Sequence, residues 1–94
     1  MRVDLNQCFE IQKHVAYRQI GDEVVLVDTR TNKMLMLNPT ASSIWMQLSK
    51  GANPSYVVQH LTAEFKVSPD EAMNDVVEFL ELLIDRQLVE EQSG

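Results

Sequence analysis

Cysteine is almost absent. Cys8 is the only one, so no internal disulfide is possible. A reduced thiol and the lack of a signal-like apolar run at the N-terminus point to a cytoplasmic location. Glycine is scarce as well. Gly21, Gly51 and Gly94 are scattered, which rules out a glycine-rich phosphate loop. His14 and His60 are the only histidines, and neither stands at metal-ligand spacing with Cys8 or with the other. No metal, no cofactor and no catalytic residue is therefore expected. Basic residues are outnumbered, 8 against 14 acidic, for a net charge of −6. That balance argues against nucleic acid and anionic membranes as partners. No stretch approaches the ~18 apolar residues that span a bilayer.

What is present is patterned. The length suits one small domain over residues 1–94, with residues 1–12 a weakly structured lead-in and residues 90–94 a frayed tail. Residues 13–37 read as a three-stranded antiparallel meander. Val15, Tyr17 and Gln19 alternate with His14, Ala16, Arg18 and Ile20, Gly21-Asp22 supplies a type II′ hairpin turn, and Val24 to Val27 is a β-branched middle strand. Asp28 to Asn32 is a turn cluster, and Lys33 to Leu37 is the third strand, at a sheet edge. Such an apolar edge is a liability unless something covers or pairs with it.

Three helices follow. Asn38-Pro39 starts the first, with Ala41, Ile44, Trp45 and Leu48 on one face and Gly51 as the stop. Asn53-Pro54 starts the second, with Val57, Val58, Leu61 and Phe65 inward. Ser68-Pro69, with Glu71 completing a capping box, starts a long third helix that runs to Val89. Leu88-Val89 forms a terminal strand or caps the core. Sheet plus helix-turn-helix gives an α+β, winged helix-turn-helix-like domain.

The third helix has an apolar arc of roughly 220°, about twice what covering a core requires. Phe79, Ala72, Val76 and Leu83 are expected to face the core. The strip Met73–Val77–Leu80–Ile84 is then left without a partner. The opposite side carries Asp70, Glu71, Asp75, Glu78, Glu81 and Asp85, which disfavours a DNA-reading role even though helix-turn-helix folds often have one. The surplus strip and the edge strand suit a groove in which a peptide adds a strand. A homodimer, or the N-terminal dozen residues folded over these surfaces, accounts for the pattern equally well.

The ordered series Val25-Leu26-Val27, Met36 to Ala41, Ile44-Trp45, Leu48, Gly51, Leu61 to Phe65, Asp75-Val76, Phe79-Leu80, Leu82-Leu83 and Gln87-Leu88-Val89 resembles the PqqD-like family over about residues 14–90. Gln87 departs from the family's usual Gly. The resemblance implies a non-enzymatic peptide chaperone, or precursor-peptide recognition element. Such proteins hold the leader of a ribosomal precursor peptide. They present it to a tailoring enzyme, such as a radical-SAM protein in pyrroloquinoline quinone biosynthesis or a leader peptidase in lasso-peptide pathways. Carried onto this sequence, it implies peptide contacts at Lys33, Met34, Leu35, Met36 and Leu37 on the strand. On the helix it implies Met73, Val77, Leu80, Glu81 and Ile84. Arg30 and Lys33 stand ready to meet acidic leader residues or remain solvated. On this view Leu35→Pro or Val77→Asp abolishes leader binding with the fold intact. A DNA-binding regulator and a structural homodimer, as against a monomer, are the alternatives.

Overall fold

Three X-Pro pairs set the helices. In the computed structural model, which describes residues 3–92, the Asn38 side chain accepts from Ala41 N at 2.8 Å and opens α1, Pro39–Ser49. Asn53 accepts from Tyr56 N at 2.9 Å and opens α2, Pro54–Glu64. Ser68 accepts from Glu71 N at 3.1 Å and opens α3, Pro69–Asp85. Each side-chain oxygen satisfies a first-turn N–H that has no partner within the helix.

α3 stops at Asp85, four residues short of the expected Val89, because Gln87 turns left-handed with φ 59°. Gln87 N–H then bonds Ile84 O, and Leu88 N–H bonds Leu83 O, both at 2.9 Å. This paired closure is the Schellman motif, and Leu88 and Leu83 are both buried behind it. Gln87 thus occupies the position that glycine adopts at least cost. Phe65, expected on the inner face of α2, is its half-buried C-cap instead.

The meander forms as the pattern predicts: Val15–Ile20 (β2), Glu23–Asp28 (β3) and Lys33–Leu37 (β4), in the order β2-β3-β4. Gly21 has φ 64° and Asp22 is not in the positive region, as a type II′ turn requires. Two terminal expectations are corrected. The lead-in contains a strand, Phe9–Ile11 (β1), and the tail contains another, Val89–Glu91 (β5); they pair antiparallel with Phe9 opposite Glu91. Val3 and Phe9 are buried in the core, and Leu5 is packed against it. Three-residue strands are too short to show a period, so the signal lay in the pairing of distant segments and not in either one.

The core lies between the inner sheet face and the helices. Val24, Leu26 and Leu37 meet Ile44, Trp45 and Leu48 of α1, Val57 and Leu61 of α2, and Ala72, Val76, Leu80 and Leu83 of α3. Leu80 has no exposed surface. It belongs with Val76 and Leu83 and not with the surplus strip, since it stands nearer than Met73, Val77 or Ile84 to the centre of the buried arc. Trp45 packs edge-on against Tyr17, ring centroids 5.4 Å apart. Its indole N–H is buried without a hydrogen-bond partner among the described residues.

Buried Ser42 locks α1 to the sheet. Its hydroxyl accepts from Val24 N–H at 2.8 Å and donates to Leu37 O at 3.2 Å. The oxygen thereby bridges the last pair of the β3–β4 ladder just where β4 hands over to α1.

Candidate peptide-binding cleft

Backbone parity decides which groups of β4 are free. The two-residue turn closes on the pair Ile20–Glu23, so Glu23, Val25 and Val27 direct their N–H and C=O groups toward β2. Thr29 N–H bonding His14 O at 2.8 Å continues the same parity. Val24, Leu26 and Asp28 must then face β4, where their partners are Leu37, Leu35 and Lys33. Ser42 bridging Val24 N–H to Leu37 O agrees. Met34 and Met36 are left with N–H and C=O pointing out of the sheet, and β4 pairs only with β3 among the described residues. Their side chains stand on the outer face, 67% and 65% exposed. Leu35, half-buried, and Leu37, buried, point inward.

Along this edge runs α3, antiparallel to β4. At the strand's start, a cleft of about 440 Å³ is lined by Arg30, Thr31, Lys33, Met34 and Leu35 on one side and Asp85 to Leu88 on the other. Beyond the strand's end, a second of about 410 Å³ is lined by Asn38, Thr40, Ala41 and Ile44 against Asp75, Glu78, Phe79 and Leu82. Phe79 is nearly buried, and Leu82 is 37% exposed.

Most of the residues expected to form the helix wall lie elsewhere. At about 100° per residue, Met73, Val77 and Ile84 stand roughly 180° from the line through Asp75, Leu82 and Arg86. They are half-buried, and Ile84 borders Asp4, Gln7 and Val89 to Gln92. That flank is thus met by the N-terminal segment and the β1–β5 pair, the alternative weighed from the sequence. Leu80 is in the core, and Glu81 lies off the cleft. A 220° arc has two flanks, and periodicity does not say which one meets the sheet edge. β4 lies at the sheet edge as expected, with Leu37 turned into the core. The missed residues are Asp75, Glu78, Phe79 and Leu82. Leu82 was visible as the far end of the same arc, amid carboxylates.

One end of the cleft is held by Arg30. Its guanidinium bonds both Asp28 carboxylate oxygens, at 3.2 and 3.0 Å, and donates to Gln87 Oε1 at 3.1 Å. This ties the β3–β4 turn to the C-terminus of α3. The hydrogen bonds from Arg30 pull the Asp28 carboxyl below its ordinary pKa, and Asp28 raises that of Arg30. His14 Nε2 lies 2.7 Å from Gln87 O, a third tether at the same corner.

His60 pairs with Glu64 at 3.0 Å, and Ser43 donates to the same carboxylate oxygen, which is a structural link between α1 and α2. Cys8 Sγ lies 3.4 Å from Gly51 O. Among the described residues no cluster of His, Cys, Asp and Glu is arranged to hold a metal, and no helix is long and apolar enough to cross a membrane.

The sequence profile of the family described as coenzyme PQQ synthesis protein D (PqqD) matches residues 23–89, from the middle strand of the meander to the start of β5. The chain belongs to the PqqD family. Two solved structures resemble this PqqD-family chain over nearly their whole length. "TbiB1 in complex with the TbiA(beta) leader peptide" is 30% identical, covering 90% of this chain and 99% of that one, with a TM-score of 0.82. "Lasso peptide synthetase B1 complexed with the leader peptide" is 28% identical, covering 87% and 96%, with a TM-score of 0.80. No curated protein matches the sequence significantly. The left-handed Gln87 gives this PqqD-family member its helix stop with a glutamine in a conformation that glycine adopts at least cost.

Proposed function

We propose that this protein binds the leader region of a ribosomal precursor peptide as an added strand on β4 and presents it to a modifying enzyme. The observation that carries this is the open edge at Met34 and Met36 beside a cleft walled by α3. A peptide strand satisfies the four free backbone groups there, and the side chain opposite Leu35 turns inward toward the α3 wall. Backbone bonds give affinity, and the cleft selects sequence. The leader-bound relatives support the same use of the fold.

The role is presentation without chemistry of its own, in the cytoplasm. Tethering raises the concentration of the precursor's modifiable segment at a tailoring enzyme, such as a radical-SAM protein or a leader peptidase. The pathway is pyrroloquinoline quinone or another modified-peptide biosynthesis, with the lasso-peptide relatives favouring the latter.

The test is amide hydrogen exchange with synthetic leaders taken from precursor genes beside this one. Met34 and Met36 amides are expected to slow on binding. The Leu35 amide, already bonded to β3, is expected to change little. Protection of Met34 and Met36 at high protein concentration without peptide supports a homodimer instead and overturns the proposal.

A further inference from the structure

We infer that the segment bound in this cleft is electrically polar, with a basic residue toward its N-terminal end, an apolar centre and an acidic residue toward its C-terminal end. This rests on the peptide-binding proposal above and adds a direction and a charge pattern to it.

The two ends of the cleft differ in charge. Beyond Leu37 the α3 wall is Asp75 and Glu78, and among the described residues no cation lines that end. Asp75 is half-buried, and neither carboxylate is paired with a cation among the described residues; Glu78 accepts only from Asn74, at 3.4 Å. Two carboxylates beside Phe79 and Leu82, with water partly excluded, attract a basic side chain more strongly than open solvent would allow. The middle of the cleft is apolar, from Leu35 to Ile44 and Leu82. At the other end stand Lys33 and Arg86, both exposed. Asp28 there is held by Arg30, and Asp85 is the one other carboxylate lining that end, so three cations face two carboxylates. That end therefore suits an acidic side chain.

Backbone geometry converts the charge gradient into a direction. Every pair in this sheet is antiparallel, and antiparallel pairing is the more stable per residue, so the strand added at Met34 and Met36 is assigned the antiparallel direction. β4 runs from Lys33 to Leu37, so an antiparallel strand enters beside Leu37, at the acidic end, and leaves beside Lys33. The basic residue thus precedes the apolar centre, and the acidic residue follows it. On the scale of partly exposed ion pairs, each end shifts affinity by about two- to fivefold.

The test uses a yeast-displayed library of random dodecapeptides sorted against the full chain. Enriched peptides are expected to carry Lys or Arg before an apolar centre and Asp or Glu after it. Sorting against Asp75→Lys with Glu78→Lys is expected to replace the leading basic residue by an acidic one and leave the centre and the trailing acidic residue alone. Asp75→Asn with Glu78→Gln, nearly isosteric, is expected to erase the leading preference without reversing it. Enrichment with no charge bias, with the opposite order, or with a profile unchanged in both variants overturns the polarity and leaves peptide binding standing. A library from which wild-type protein enriches nothing overturns both.

Discussion

Met36→Pro separates the binding edge from the fold. The Met36 N–H points away from β3 and its side chain is 65% exposed, so proline there removes no ladder bond and little buried surface. Proline is tolerated on an edge strand when the missing N–H faces solvent. It also restricts Leu35 to the extended region that Leu35 already occupies. The expected loss of stability is about 1 kcal/mol or less. Binding fares differently. The peptide loses one hydrogen bond, worth about 1 kcal/mol, and a peptide carbonyl is left facing no donor, which costs a further ~1–3 kcal/mol. The sum, about 2–4 kcal/mol, corresponds to roughly 30- to 1,000-fold weaker binding. Leu35→Pro is the contrast. Leu35 N–H bonds the middle strand at Leu26, so proline there removes a ladder bond and leaves the buried Leu26 carbonyl without its donor, a loss of about 1–3 kcal/mol out of a total stability of roughly 5–15 kcal/mol. The expectation from sequence, that Leu35→Pro spares the fold, is thereby reversed. Calorimetric titration with a library-selected peptide, alongside thermal melts, reads both effects. A folded Met36→Pro protein that binds like wild type refutes the edge assignment. So does a melting loss equal to that of Leu35→Pro.

Leu82→Asp is expected to weaken peptide binding at least tenfold with little change in melting temperature, whereas Val77→Asp is expected to lower the melting temperature and leave the affinity of the folded fraction unchanged, both read by the same titration and melts. Ser42→Ala is expected to cost about 1–3 kcal/mol in urea denaturation, because the buried hydroxyl that accepts from Val24 N–H and donates to Leu37 O is lost. Gln87→Gly is expected to gain up to about 1 kcal/mol by relieving the left-handed backbone, set against one exposed bond to Arg30, and to raise the melting temperature by a few degrees.

Local signals made most of the fold legible. The three X-Pro caps, the Gly21-Asp22 turn and the β-branched run at Val24 each state their structure within a few residues, and all three stand as expected. The failures are non-local. Phe9 to Ile11 becomes a strand only because Val89 to Glu91, eighty residues away in sequence, lies beside it. α3 ends at Asp85 through a left-handed Gln87, a conformation that glutamine does not advertise. The edge strand was readable because an apolar run after a second hairpin has nowhere to go but the edge. The helix wall was not. Its two apolar flanks are equivalent in sequence, and the N-terminal segment, unrecognised as structure, was what distinguished them.

The β1–β5 pair has a consequence for how the domain can be carried. It places the first and last strands side by side, on the flank of α3 that bears Ile84, across the helix from the open edge of β4. A polypeptide joined at either end adds its bulk away from the cleft. The domain is therefore suited to insertion within a larger chain, or to circular permutation through a short link between its ends, with Met34 and Met36 still accessible. Separate protein or built-in module are equivalent arrangements as far as the cleft is concerned.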